Sequence, residues 1–81
     1  MINIILYSTV GCHLCEQVYE LLQQCKTFPV KIDTIDIALD DDLVQKYGTS
    51  IPVLLFPDQT ELNWPFSLQD LESKLKKTAA N

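Results

Sequence analysis

The sequence predicts a single α/β domain over residues 1–81, with seven elements in the order βαβαββα. Three observations carry this prediction: a short apolar segment typical of a buried parallel strand, a stretch with helical spacing of apolar residues, and an alternating segment after it. The length of 81 residues is about half that of a typical domain, so we expect one small core and no second domain.

The first half of the chain predicts strand, helix and strand. Residues 3–8 are apolar or β-branched at nearly every position, which indicates a strand buried on both faces. From Cys12 onward the apolar residues recur on one side of a helix that ends before Pro29. They are Leu14, Cys15, Val18, Leu21, Leu22 and Cys25. Residues 30–37 alternate through most of their length, which predicts a strand with one exposed face.

The second half predicts a short helix, a hairpin and a last helix. The three aspartates at 40–42 favour the start of the short helix, and Gly48 is predicted to end it in the left-handed conformation. Residues 53–56 and 60–63 flank a turn-rich segment, which indicates a hairpin.

The last helix is predicted over about residues 68–77. Ser67 and Asp70 form an acidic variant of the capping box at its start. Its final turns contain the one basic cluster, where positive charge complements the helix dipole. Because the chain has 6 Lys+Arg against 11 Asp+Glu, and a net charge of -5, nucleic acid is a poor candidate partner.

Composition also bears on location. The apolar run at residues 4–7 is too short to span a membrane, and no Lys or Arg precedes it as in a secretory signal. Three cysteines are an odd number, which does not form a closed set of disulfides. We therefore expect a cytoplasmic protein with no membrane partner. We also expect it to be a monomer.

Two of the cysteines form the motif Cys12-His13-Leu14-Cys15, the most informative feature of the sequence. On a helical wheel Cys15 lies about 60° from the centre of the apolar stripe and Cys12 about 120°, so Cys12 is the more accessible. Unpaired amides and the helix dipole at this helix start favour a Cys12 thiolate. We expect Cys12 to attack a disulfide in a partner and Cys15 to resolve the mixed disulfide.

Two further residues near the motif each have more than one interpretation. His13 either tunes the Cys12 thiolate with its positive charge or is an ordinary surface histidine, since helical spacing places it on the solvent side. Cys25 lies about 15 Å from Cys15 along a continuous helix, beyond disulfide reach, so we expect a small buried core residue.

The sequence resembles the glutaredoxin and thioredoxin superfamily over nearly its whole length. The resemblance rests on the Cys-x-x-Cys motif between the first strand and the first helix, and on residues 50–53, Ser-Ile-Pro-Val, before the hairpin. It implies a thioredoxin/glutaredoxin-like fold, three layers α/β/α around a central four-stranded mixed sheet. It also implies a cis bond before Pro52, opposite the dithiol, and free backbone groups of Ile51 that pair with an extended substrate.

Residues 63–66, Asn-Trp-Pro-Phe, narrow the resemblance to a group of small bacterial glutaredoxin-like proteins. True glutaredoxins hold a glutathione carboxylate with backbone amides in this segment. Here Pro65 has no amide hydrogen and Ser67 is a candidate for capping the last helix, which weakens the case for glutathione as a co-substrate. The alternative is that the amides of Ser67 and Leu68 are offered to an anion. Trp64 either lines the substrate groove or closes the core, and core closure is favoured.

The leading function is a glutaredoxin-like disulfide reductase of cell redox homeostasis, which acts on a protein or small-molecule disulfide without a dissociable cofactor. A copper(I) carrier is one alternative, because Cys-x-x-Cys also follows the first strand of copper chaperones with the order βαββαβ; those carry Met where this chain has Val10. A non-catalytic binding scaffold is another, and an iron–sulfur cluster shared with glutathione is disfavoured. No metal site is expected, because Cys12, His13 and Cys15 are too crowded for zinc.

Overall fold

The computed structural model describes residues 2–25 and 28–80. Within them the chain forms four strands and three α-helices, and the predicted order βαβαββα is confirmed. The elements are β1 (Ile2–Ser8), α1 (His13–Gln24), β2 (Val30–Asp36), α2 (Asp41–Tyr47), β3 (Val53–Leu55), β4 (Glu61–Asn63) and α3 (Leu68–Ala80). A 3-10 turn at Ile37–Leu39, which the sequence did not predict, separates β2 from α2.

The strands form one mixed sheet in the order β2-β1-β3-β4. β1 is parallel to β2 and antiparallel to β3, with Tyr7 opposite Val53, and β3 is antiparallel to β4. The carboxyl end of β1, which leads to Cys12, therefore lies beside the start of β3, which follows Pro52. Both predicted motifs are thus at one end of the sheet, and the element order differs from the βαββαβ order of the copper-carrier alternative.

The apolar residues of β1 are buried on both faces of the sheet, as the sequence predicted. Ile4 and Leu6 belong to a core shared with α1 and α3, whereas Tyr7 belongs to a smaller core on the other side with Tyr47 of α2. The helical members of the larger core are Val18, Leu22, Leu71 and Leu75. This gives the predicted three layers, with the sheet between α1 and α3 on one side and α2 on the other.

The prediction for Gly48 is wrong, because its backbone is right-handed helical with φ -51° and ψ -34°. The helix α2 ends without a left-handed residue because the amides of Ser50 and Ile51 both donate to the Tyr47 carbonyl, at 2.8 and 3.2 Å. Glycine is needed here for space instead, since a Cβ at residue 48 would clash with the Val44 carbonyl oxygen.

The two longer helices follow the predicted pattern, with one exception at the start of α1. Leu14, assigned to the apolar stripe, is 44% exposed, because it lies in the first turn beside the loop at the end of the sheet. At α3 the capping box is confirmed: the Ser67 hydroxyl accepts from the Asp70 amide and the Asp70 carboxylate accepts from the Ser67 amide, both at 3.0 Å. None of the described helices has the length and apolar character needed to cross a membrane.

Candidate functional site

Cys12 occupies the N-cap of α1, directly after a tight turn. Gly11 has a φ of +80°, in the left-handed region that favours glycine. The Cys12 amide donates to the Thr9 carbonyl at 3.4 Å, and the Cys12 carbonyl accepts from the Glu16 amide at 3.3 Å. The Cys12 Sγ accepts from the Cys15 amide at 3.2 Å. The sulfur therefore lies where an amide donor and the positive end of the helix dipole both favour negative charge.

A disulfide joins Cys12 to Cys15, with a Cα–Cα distance of 5.3 Å. This distance lies within the range of about 4.4 to 6.8 Å that disulfides require. Cys15 is 6% exposed, whereas Cys12 is partly exposed. The predicted difference in accessibility is confirmed, with Cys12 facing outward and Cys15 inside.

A cleft of about 390 Å³ opens beside the disulfide, between α1 and the strands β1 and β2. Its lining comprises Leu6, Ser8, Thr9, Gly11, Cys12, Cys15, Glu16, Tyr19, Glu20 and Thr34. Apart from the two cysteines, none of these residues was expected in the site from the sequence. A signal was present: Ser8 continues the inward alternation of Ile4 and Leu6, so a polar side chain stands where the pattern requires an apolar one.

His13 lies on the solvent side of α1, as its helical spacing predicted. Its Nδ1 is 3.7 Å from the Glu16 carboxylate, and the two side chains are 90% and 76% exposed. His13 is outside the cleft lining, and Glu16 offers its imidazole a carboxylate partner. Over residues 2–25 and 28–80 there is no group of three or more His, Cys, Asp or Glu side chains that could hold a metal ion.

The other predicted substrate-binding residues, Ile51, Pro52 and Trp64, lie outside the cleft lining. The Ile51–Pro52 bond is cis. The prediction that Ile51 offers free backbone groups is wrong for its amide, which donates to the Tyr47 carbonyl at 3.2 Å as the chain leaves α2. The Pro52 carbonyl accepts from the Trp64 amide at 3.3 Å, so it too is engaged within the protein.

Trp64 packs against the larger core, and its ring meets that of Phe66 edge to face at 5.3 Å between centroids. This contact is the core closure that the sequence favoured for Trp64. The Trp64–Pro65 bond is also cis, which the sequence did not predict.

The segment before α3 has few amides left for an anion. The Trp64 amide donates to Pro52, Pro65 has no amide hydrogen, and the Ser67 amide donates to the Asp70 carboxylate. Of the two interpretations of Ser67, capping is therefore the one present, and its amide is not left for an anion.

Comparisons with known proteins agree with this geometry. The sequence model of the glutaredoxin-like domain (DUF836) matches residues 3–76. The structural-genomics target protein XcR50 from X. campestris is 35% identical to this chain, and both its X-ray and its solution structure match with a TM-score of 0.81. Each match covers 91% of this chain, and it covers 96% of the chain in the X-ray structure and 92% of the chain in the solution structure. A malarial protein at 15% identity and a TM-score of 0.64, over 96% and 97% of the two chains, is similar in fold alone. No curated protein matches the sequence.

Proposed function

The chain belongs to the glutaredoxin-like domain family, and from its Cys12–Cys15 pair we propose that it is a thiol–disulfide oxidoreductase. The observation that carries the proposal is the disulfide at the N-cap of α1, with Cys12 partly exposed in the wall of a cleft and Cys15 buried behind it. The pair provides an attacking sulfur and a protected second sulfur one helical turn apart.

The reaction starts from the dithiol form. The Cys12 thiolate attacks one sulfur of a partner disulfide, forms a new S–S bond to it, and releases the other partner sulfur as a thiolate that takes up a proton. The Cys15 thiolate then attacks the Cys12 Sγ, the bond from Cys12 to the partner breaks, and the second partner sulfur leaves. Two electrons pass to the partner, and the protein is left with the Cys12–Cys15 disulfide. A thiol reductant restores the dithiol, which suits a reducing compartment such as the cytoplasm.

The environment of each sulfur supports this division of roles. The Cys15 amide at 3.2 Å and the helix dipole both favour negative charge on the Cys12 sulfur, so we expect the thiolate to form there when the disulfide is reduced. Cys15 is 6% exposed and so is shielded from partner disulfides until Cys12 has reacted. We expect no dissociable cofactor in this cycle.

We propose that glutathione is not held in the manner of glutaredoxins. The Trp64 and Ser67 amides already donate to other groups of the protein, and Pro65 has no amide hydrogen, so the expected cradle for a glutathione carboxylate is incomplete. The Asp70 carboxylate accepting from the Ser67 amide would also repel a second carboxylate there. Disulfides of proteins or of other small thiols are the substrates that we propose.

Trapping of the mixed disulfide tests the function. The reduced Cys15→Ser variant is mixed with bis(2-hydroxyethyl) disulfide, and intact mass is measured in a Cys25→Ala background so that any adduct is assigned to Cys12. We expect one stable adduct in Cys15→Ser, none in Cys12→Ser, and only the intramolecular disulfide in the background protein. A Cys15→Ser protein that forms no adduct, together with background protein that stays reduced, would contradict the proposal.

A further inference from the structure

The cleft beside the disulfide presents oxygen atoms and no positive charge. Its lining includes the hydroxyl-bearing residues Ser8, Tyr19 and Thr34 and the acidic residues Glu16 and Glu20. The Glu16 carboxylate also lies 3.7 Å from Nδ1 of His13, which is outside the lining. None of the described residues that line it is a lysine, and the whole chain contains no arginine. With a net charge of -5 on the protein, the cleft is an acceptor-rich, electronegative surface next to Cys12.

Ser8 is the residue that points to a ligand. Its side chain is 9% exposed and faces the cleft at the carboxyl end of β1. Its hydroxyl makes no hydrogen bond with the described part of the chain, and the oxygen is not sealed off, so the cleft is its opening. Buried hydroxyls in folded proteins normally have a hydrogen-bond partner. A donor group bound in the cleft would supply the partner that Ser8 lacks.

We propose that this cleft binds an ammonium or guanidinium group carried by the disulfide substrate close to the sulfur that Cys12 attacks. The inference rests on the proposed function and names the substrate class for it. A cation of this kind offers several N–H donors and no acceptor, which complements hydroxyl and carboxylate oxygens. The volume of about 390 Å³ is within the range of small-ligand sites, and suits a small amino disulfide or one basic side chain of a peptide.

The spacing along α1 sets how far the cation lies from the reacting sulfur. Glu16 and Glu20 follow Cys12 by one and two helical turns, which is about 6 and about 12 Å along the axis. An aminoethyl group on the attacked disulfide reaches the first of these positions, and a lysine beside a substrate cysteine reaches either. The cation takes no part in the sulfur exchange, so bonds and electrons balance as described for the reaction above.

The test uses pre-reduced protein and three disulfides with similar skeletons: cystamine, bis(2-hydroxyethyl) disulfide and 3,3′-dithiodipropionate. Second-order rate constants for protein oxidation are each divided by the rate constant of the same disulfide with dithiothreitol, which removes intrinsic reactivity. We expect the corrected values to fall in the order cationic, neutral, anionic, and the cationic preference to weaken at high salt. In the E16Q/E20Q variant the cationic-to-neutral ratio should fall about three- to fivefold.

The D41N/E72Q variant removes the same number of negative charges on α2 and α3, outside the cleft lining; it controls for net charge and should keep the wild-type ratio. A second pair of arms, mixed disulfides of cysteine peptides with lysine or norleucine beside the cysteine, distinguishes a protein source from a small molecule. If neither cystamine nor the lysine peptide loses its advantage in E16Q/E20Q, or if D41N/E72Q loses as much, the cleft proposal is overturned. Failure to react with any disulfide would instead refute the proposed function, and the inference would fall with it.

Discussion

Replacing Cys12 with alanine removes the side-chain atom that caps α1, and we expect it to destabilise the reduced protein. In the structure the Cys12 Sγ accepts from the Cys15 amide at 3.2 Å. Loss of an N-cap acceptor costs about 1 kcal/mol, and a hydrogen bond to a charged group contributes about 1.5 to 3 kcal/mol. Because Cys12 is partly exposed, little apolar burial is lost with it. The free energy of unfolding should therefore fall by about 1 kcal/mol when Cys12 is protonated and by about 2 kcal/mol when it is ionised.

The same reasoning fixes the pH dependence. A thiol whose pKa is lower in the folded protein contributes its stabilisation fully above the unfolded pKa of about 8.5, and loses it as the pH falls through the folded pKa. The stability difference between reduced wild type and Cys12→Ala should thus grow from about pH 5 to about pH 9.

Urea unfolding followed by Trp64 fluorescence, with reductant present, measures this difference. Cys12→Ser keeps an acceptor at the N-cap without a titrating thiol, so it should stay close to reduced wild type at low pH and fall behind it at high pH. The reasoning is refuted if Cys12→Ala matches reduced wild type at both ends of the range.

Three further variants and one control test the contacts that hold the fold around the site, each by urea unfolding. Tyr47→Phe should lower the free energy of unfolding by about 1 kcal/mol, because the hydroxyl of the buried residue Tyr47 donates to Glu61. Burial and this hydrogen bond raise the pKa of Tyr47. The wild-type protein should therefore lose this stabilisation as the pH rises through the raised pKa, whereas Tyr47→Phe should not. Leu75→Ala, at a fully buried position, should cost about 3 kcal/mol, whereas Leu39→Ala, at an 86% exposed one, should stay within about 0.5 kcal/mol of wild type. Ser67→Ala should cost about 1 kcal/mol through loss of the N-cap acceptor of α3, and an unchanged midpoint would show that the cap contributes nothing.

The fold could be predicted from the sequence because local patterns and long-range packing favour the same elements. Alternation in β2, helical spacing in α1 and the Ser67–Asp70 capping box each predict the element that is present. The errors occur where a particular backbone contact, which residue spacing does not reveal, decides the conformation. Gly48 illustrates this: the sequence indicates a helix end, but not that the crowded Val44 carbonyl makes glycine necessary.

The candidate site could be predicted from the sequence only in part. The Cys12–Cys15 spacing and the helical wheel predicted the pairing distance and which sulfur is buried. The cleft was not predicted, because it depends on where α1 lies over two strands that are parallel and far apart in sequence. The use of the Ile51 amide by Tyr47 likewise depends on how the chain leaves α2, which no spacing rule specifies.

The pKa of Cys12 in the reduced protein tests the central claim most directly, through the ultraviolet absorbance of the thiolate as a function of pH. We predict an absorbance step below the ordinary cysteine value of about 8.5 that persists in Cys15→Ser and disappears in Cys12→Ser. The absence of any step below that value in the wild-type protein, or a step below it that survives in Cys12→Ser, would contradict the assignment of Cys12 as the attacking thiolate.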